Sequence, residues 1–246
     1  MHILGIIPAR GGSKGLKDKN ILELNGKPLI GYTIEAVLNA KLLNKVVVST
    51  DSDKIANLAK SMYGIEVVKR PSEFARDDSP IEEALLHAVE YLEREKEFKA
   101  DIVVWMQPNV PIRKDGIVDA VVKELINSDA DSCVTCYEAH QIPEVMKVMD
   151  KKGRLVPVFK DVSGIRRQEF PKRYLLDGSV TALRVENLFK SRGIRKAHVY
   201  LGKEIIPVIQ ENKMYSLEID MPEDVLLAKY YMKQITAKKS FRSRLR

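Results

Sequence analysis

The densest chemistry in the chain lies within its first twenty residues. Pro8-Ala9-Arg10-Gly11-Gly12-Ser13-Lys14-Gly15 follows a short apolar run, and Lys17, Lys19 and Asn20 come close behind. Glycines let a backbone turn tightly and bring its amide N–H groups up to an anion. Arg10, Lys14 and Lys19 add fixed positive charge to the same loop. The loop reads as a phosphate site, and by itself says nothing about which phosphate. It matches neither the G-x-x-x-x-G-K-[ST] loop nor the dinucleotide fingerprint G-x-G-x-x-G. A second privileged position is Asp220, where an apolar run over 216–219 ends and Pro222 opens a helix. Ligands of open parallel sheets bind beyond the carboxyl ends of the strands, which is where both features fall. Other reactive residues read as structural. Cys133 and Cys136 sit three apart on a strand and so face opposite ways, against a metal or redox pair. His87 falls within an amphipathic helix and Trp105 within a buried strand, while His140 is a candidate contact in irregular chain.

The elements that must carry these residues alternate. Runs at 3–7, 46–49, 66–68, 102–106 and 132–137 are short and rich in Val and Ile, the pattern of strands buried on both faces. Amphipathic stretches at 29–40, 54–62, 81–96 and 117–127 read as helices. Asp51 or Ser52 can cap the second, and Ser79-Pro80 offers a cap with proline at the first turn. Strand alternating with helix predicts right-handed βαβ units and a mainly parallel sheet covered on both sides. The rhythm breaks between His140 and Tyr174, where Lys151-Lys152-Gly153 marks a hairpin turn, and resumes with strands at 179–184 and 216–219. The last helix is expected from 222 to about 233.

At 246 residues, 45% hydrophobic and 30% charged, the composition suits a folded protein with a large core. No apolar run approaches the ~18 residues of a membrane span, and two cysteines point to reducing cytoplasm rather than a disulfide scaffold. The net charge of +7 is concentrated in Lys238, Lys239, Arg242, Arg244 and Arg246. A terminal basic run of that kind is read as solvated tail, so neither a nucleic-acid nor a membrane partner is expected. The domain reading is one unit over 1–237, with an excursion at 138–177 and the tail at 238–246.

Several ordered motifs together resemble one family. Ile7-Pro8-Ala9-Arg10-Gly11-Gly12-Ser13-Lys14-Gly15-Leu16 with Lys19-Asn20 looks like the signature of the acylneuraminate cytidylyltransferases, the CMP-sialic acid synthetases and their relatives. The similarity continues through Asn25-Gly26-Lys27-Pro28, Ser49-Thr50-Asp51, Arg70-Pro71 with Ala75 and Asp77, and Gln107-Pro108 with Pro111 and Arg113. It runs on through Arg167-Gln168, Asp177-Gly178 and Ser216-Leu217-Glu218-Ile219-Asp220. The resemblance implies a three-layer α/β/α fold of the nucleotide-diphospho-sugar transferase type, with the excursion forming a homodimer contact. It implies that Arg10 and Lys19 hold a triphosphate, helped by the backbone from Ala9 through Gly11, Gly12, Ser13 and Lys14. Asn20, Arg70, Asp77 and Ser79 would face the nucleoside, and Gln107, Arg167, Gln168 and Asp177 the sugar. Glu218 and Asp220 would hold Mg²⁺, with Arg10, Lys19 and Asp220 the catalytic set. Mg²⁺ takes few protein carboxylates, which suits a pair at i and i+2.

The implied reaction joins CTP to a nonulosonic acid sugar and releases pyrophosphate. The family pattern is broken at three places: Asn109-Val110 replaces a Thr-Ser pair, Asp177 an Asn, and Glu218 an Asp. These changes leave two alternatives open: a sugar-1-phosphate nucleotidyltransferase using another NTP, and a non-catalytic nucleotide or nucleic-acid binding protein.

Overall fold

All six residues of strand β1 (Ile3–Pro8) are buried, and they alternate between two cores. Ile3 and Ile7 join one apolar cluster, Leu4 and Ile6 the other, because successive strand side chains point to opposite faces. The computed structural model describes residues 1–244 apart from Lys14, Asp161 and Ile165, with the backbone alone over 238–244. A small hairpin of β2 (Glu23–Leu24) and β3 (Lys27–Pro28) leads into helix α1 (Leu29–Leu38). Then follow β4 (Lys45–Thr50), α2 (Asp53–Tyr63), β5 (Glu66–Lys69), α3 (Ile81–Lys96), β6 (Ile102–Trp105), α4 (Ile117–Ile126) and β7 (Ser132–Glu138). The first core collects Ile30, Ile34, Ile55, Ala59, Val121 and Leu125 from α1, α2 and α4. The second collects Leu85, Ala88, Val89 and Leu92 from α3. The expected three layers are therefore present.

The seven-stranded sheet has the order β11-β7-β10-β6-β1-β4-β5, with β10 (Tyr174–Arg184) antiparallel to both neighbours and the other pairs parallel. Helix α5 (Val185–Lys190) and edge strand β11 (Ile205–Ile209) complete it before α6 (Pro222–Arg244). The sequence pattern does not reveal β11, because Pro207 interrupts the run. Proline is tolerated at a sheet edge, which is where β11 lies. Residues 216–219 are not a strand as expected. A 3₁₀ turn over Lys213–Ser216 gives way to a strap without a sheet neighbour, held by Ile219, which is buried with Leu24, Leu29 and Ala228. Helix α6 also continues to Arg244 rather than ending near 233.

Ser52 caps α2 as expected, accepting the N–H of Ile55. Ser79 does not cap α3: its hydroxyl donates to the Glu73 carbonyl at 2.8 Å and accepts the Arg76 N–H, closing the loop before the helix. The excursion leaves the sheet after β7, forms the hairpin β8 (Lys147–Met149) and β9 (Leu155–Pro157) around the expected turn, and returns as β10. Its return pairs with β7 from Tyr174 onward, five residues earlier than expected, and the register slips between Leu176 and Thr181.

That slip holds Asp177-Gly178. Gly178 has φ +61°, and a Cβ there would collide with the Gln107 side chain. Asp177 is fully buried and accepts four hydrogen bonds: from Thr135 Oγ1 at 2.5 Å, Ser179 N at 3.0 Å, Ser216 Oγ at 2.7 Å and Gln210 Nε2. An amide would face these donors with a donor of its own. Replacing Asp177 with Asn is expected to cost about 1–3 kcal/mol, several degrees in Tm by thermal melting. An unchanged melting temperature would show that the network contributes nothing.

Candidate functional site

Beyond the carboxyl ends of β1, β5 and β6 the surface opens into a cleft of about 650 Å³. Each wall comes from a different stretch of sequence. The loop after β1 brings Arg10, Ser13, Gly15, Lys19 and Asn20; the loop after β5 brings Arg70, Asp77 and Ser79. The turn after β6 brings Gln107 and Asn109, and the strap before α6 brings Glu218 and Asp220. Residues up to two hundred apart in sequence thus meet in one place.

Opposite charges pair across it. Arg10 meets Asp77 at 2.5 Å, and Lys19 Nζ donates to Asp220 Oδ1 at 2.6 Å. Gly15 permits the second pairing, because a Cβ there would stand 2.5 Å from the Asp220 carbonyl oxygen. Asn20 is buried and donates to the Arg10 carbonyl, leaving its Oδ1 without a partner. Arg70, also buried, donates to the carbonyls of Ser49 and Phe74, while its Nε has no partner. Burial lowers the Arg70 pKa, and the Asp51 charge works against that shift.

The strap is aimed by its surroundings. Its Ile219 N–H bonds the Asn109 carbonyl at 2.8 Å, and Asn109 Nδ2 reaches Asp220 Oδ1 at 3.2 Å. Asp224, in the first turn of α6, accepts from the N–H groups of Asp220 and Met221. With Ile219 anchored below, its neighbours Glu218 and Asp220 both line the cleft. Burial pushes Glu218 up to about 7, helped by the nearby charges of Asp220 and Asp177 and opposed by Lys19 and Asn109. Among the described residues no group of three or more His, Cys, Asp or Glu is placed to hold a metal. The thiols of Cys133 and Cys136 are free, buried and raised by that burial, in line with a structural role.

Not every expected residue is here. Ala9 is fully buried and its N–H bonds the Ser49 carbonyl, extending the sheet rather than facing the cleft. The Gly11 N–H is bonded to Asp51 Oδ1 at 3.0 Å, and neither Gly11 nor Gly12 lines the cleft. Lys14 lies outside the described residues. Asp177 sits beneath the floor, because its four donors hold it in the sheet. Arg167 and Gln168 line a separate hollow on the excursion with Glu138 and Lys172, and Arg167 bonds His140. Conversely, Phe74, Trp105, His198 and Tyr200 line the cleft although no motif announces them. Trp105 looks like core in sequence because its strand is; only its place at the strand's last residue brings it to the opening.

A doubly covered, mainly parallel sheet with a polar cleft of paired charges at its carboxyl edge defines a nucleotide-diphospho-sugar-transferase-like protein. The chain belongs to the cytidylyltransferase family, whose model matches residues 4–242. It is 31% identical to the CMP-N,N'-diacetyllegionaminic acid synthase of Legionella pneumophila subsp. pneumophila over 94% of this chain and 97% of that one. It is 29% identical to an N-acylneuraminate cytidylyltransferase of Streptococcus agalactiae serotype V over 92% of its length, and spans 52% of that longer relative. Among solved structures, a CMP:2-keto-3-deoxy-manno-octonic acid synthetase complexed with CTP superposes with TM-score 0.69 at 18% identity, covering 95% of this chain and 99% of that chain. At that identity the likeness establishes the fold. No helix among the described residues is long and apolar enough to cross a membrane.

The raised Glu218 predicts a pH dependence. A carboxyl whose folded pKa exceeds its usual 4.5 stabilises most below that value, and the contribution is lost as pH rises to about 7. In EDTA, Glu218→Gln is therefore expected to melt several degrees above the parent at pH 8, with the gap closing by pH 5 (an upper limit of about 3 kcal/mol). A gap independent of pH would refute the assignment.

Proposed function

We propose that this chain transfers the CMP group of CTP to a hydroxyl of an acylated nonulosonic acid sugar, releasing pyrophosphate. The observation that carries the reading is the meeting of Arg10, Lys19, Arg70, Glu218 and Asp220 in one cleft. The relatives' names add the substrate class. Sheet order arranges the substrates. The phosphate loop rises from β1, with β5 and Arg70 two strands to one side and β6 with Gln107 next on the other. The distance from β5 to β6 is three strand spacings, about 14 Å, enough for a nucleoside, its phosphates and the edge of an acceptor.

The sugar hydroxyl oxygen bonds to the α-phosphorus in line with the leaving group. The bond to the bridging oxygen breaks, pyrophosphate departs with the electron pair, and the hydroxyl proton passes to solvent. Arg10 and Lys19 exchange Asp77 and Asp220 for phosphate oxygens and neutralise charge on the departing pyrophosphate. Glu218 and Asp220 are hard oxygen donors side by side, and the charges of Asp220 and Asp177, which add to burial in raising Glu218, are ones a cation would relieve, so the pair fits Mg²⁺. Bound there, Mg²⁺ would draw charge from the phosphate oxygens. Such a reaction belongs where CTP is made, in the cytoplasm.

The excursion is the proposed contact with a second copy. Val148, Met149 and Leu155 on the hairpin and Leu175 and Leu176 on β10 are exposed apolar side chains that a second copy would cover. Pairing two such faces would also give Arg167 and Gln168, remote from their own cleft, a place at the partner's acceptor site. Sedimentation at micromolar concentration is expected to give a dimer, and a stable monomer would overturn this part.

Pyrophosphate release measured with each of the four NTPs and a panel of acid sugars and sugar phosphates tests the reaction. CTP with an acid sugar should be the productive pair, and activity only with sugar phosphates would overturn that choice. Lys19→Ala should retain its melting temperature and lose about 10²–10³ in turnover. Near-normal release from that variant would sink the role of Lys19.

A further inference from the structure

The strap that carries Glu218 and Asp220 meets the turn after β6 at Asn109, and both the backbone and the side chain of that residue hold it. The Asn109 carbonyl accepts the Ile219 N–H at 2.8 Å, and Asn109 Nδ2 donates to Asp220 Oδ1 at 3.2 Å. The same oxygen accepts the Lys19 ammonium at 2.6 Å. Asp220 Oδ2 takes no hydrogen bond from the described residues, and the Asp220 side chain is 55% exposed to the cleft and solvent.

The two donors on Oδ1 differ in kind. Lys19 brings a full charge on a flexible stem, and it is the group expected to leave for a phosphate oxygen. Asn109 is buried, in a turn that Arg113 pins through the carbonyls of Gln107 and Val110. Its amide is neutral. A neutral donor orients a carboxylate and leaves the charge available, whereas an ammonium offsets that charge and competes with any other cation. The Asn109 side chain also opposes the rise of Glu218, so it acts on both members of the pair.

We propose that Asn109 is a positioning residue for the carboxylate pair, holding Asp220 by Oδ1 when Lys19 departs and leaving Oδ2 to a divalent cation. The inference rests on the reading of Glu218 and Asp220 as the residues that hold Mg²⁺. A hydrogen bond to a liganding carboxylate sets metal affinity by fixing the ligand before the metal arrives, an effect of tenfold or more. The backbone bond from Ile219 survives any substitution at 109, so the side chain can be tested with the strap still anchored.

Mn²⁺ is the probe, its binding to the protein without nucleotide read from loss of the free-ion electron paramagnetic resonance signal. Asn109→Ala should raise the Mn²⁺ Kd about tenfold. Asn109→Leu fills nearly the same volume without a donor and should match it, which separates the lost hydrogen bond from a cavity. Lys19→Ala should bind Mn²⁺ at least as tightly as the parent, because it removes a competitor for Asp220. In turnover with CTP and an acid sugar, the Asn109 variants should need about tenfold more Mg²⁺ for half-maximal pyrophosphate release. At saturating Mg²⁺ their kcat should return to within about threefold of the parent. Unchanged Mn²⁺ binding, a loss in the alanine variant alone, a loss in Lys19→Ala as large as theirs, or a kcat that excess Mg²⁺ does not restore would each overturn the proposal. A parent protein that binds no Mn²⁺ would instead overturn the reading of the carboxylate pair, and this inference with it. Absence of pyrophosphate release would overturn the proposed reaction and leave the Mn²⁺ titrations to decide this inference.

Discussion

The site depends on the hydrogen bonds of one partly buried cation. The Arg113 guanidinium donates to the carbonyls of Gln107, Val110 and Ser179 and to Thr33 Oγ1. Burial lowers its pKa, and the charge of Asp177 offsets part of that shift. Desolvating a charge is costly unless its hydrogen bonds are met, and here three carbonyls and a hydroxyl meet them. The consequence is that the turn after β6 cannot move independently of β10 or α1. Gln107 lies on Gly178, and Asn109 lies where it holds the strap of Glu218 and Asp220. One guanidinium thus sets the cleft wall at Gln107 and the carboxylate pair together.

Charge pairing then does for the cleft what apolar packing does for the core. Arg10 with Asp77 and Lys19 with Asp220 tie the loop after β1 to chain from the β5 side and from the strap. Each pair is partly exposed, so its contribution to stability is modest. Its value lies in keeping each cation aimed into the cleft by a carboxylate. Glu218 differs, being raised mainly by burial with the charges of Asp220 and Asp177 added and the Lys19 charge and the Asn109 hydrogen bond opposed.

Much of this was legible without coordinates. Strands buried on both faces, helices with one apolar side, and a glycine-rich basic loop after the first strand are local patterns, and they foretold the parallel sheet and the cleft at its carboxyl edge. Helix α3 falls at 81–96 as its periodicity predicts. Errors came where identity and environment part company. The run 216–219 has strand composition, but the sheet edges are taken by β5 and β11, so it becomes a strap. Asp177 illustrates the reverse exchange, an expected contact that lies under the floor, while Trp105 is core as expected and touches the cleft only from the end of its strand.

The sequence by itself determined the layers, the glycine-rich basic loop and the identity of the cations and carboxylates, because each follows from short-range periodicity or from residue type. Only the tertiary structure decided which carboxylate faces which cation, which backbone N–H groups are already engaged, and that Arg167 and Gln168 stand apart from Gln107. Those outcomes depend on crossover order and on one register slip in β10. Such long-range choices are set by how buried polar groups across the whole chain find partners, and no local window of sequence contains them.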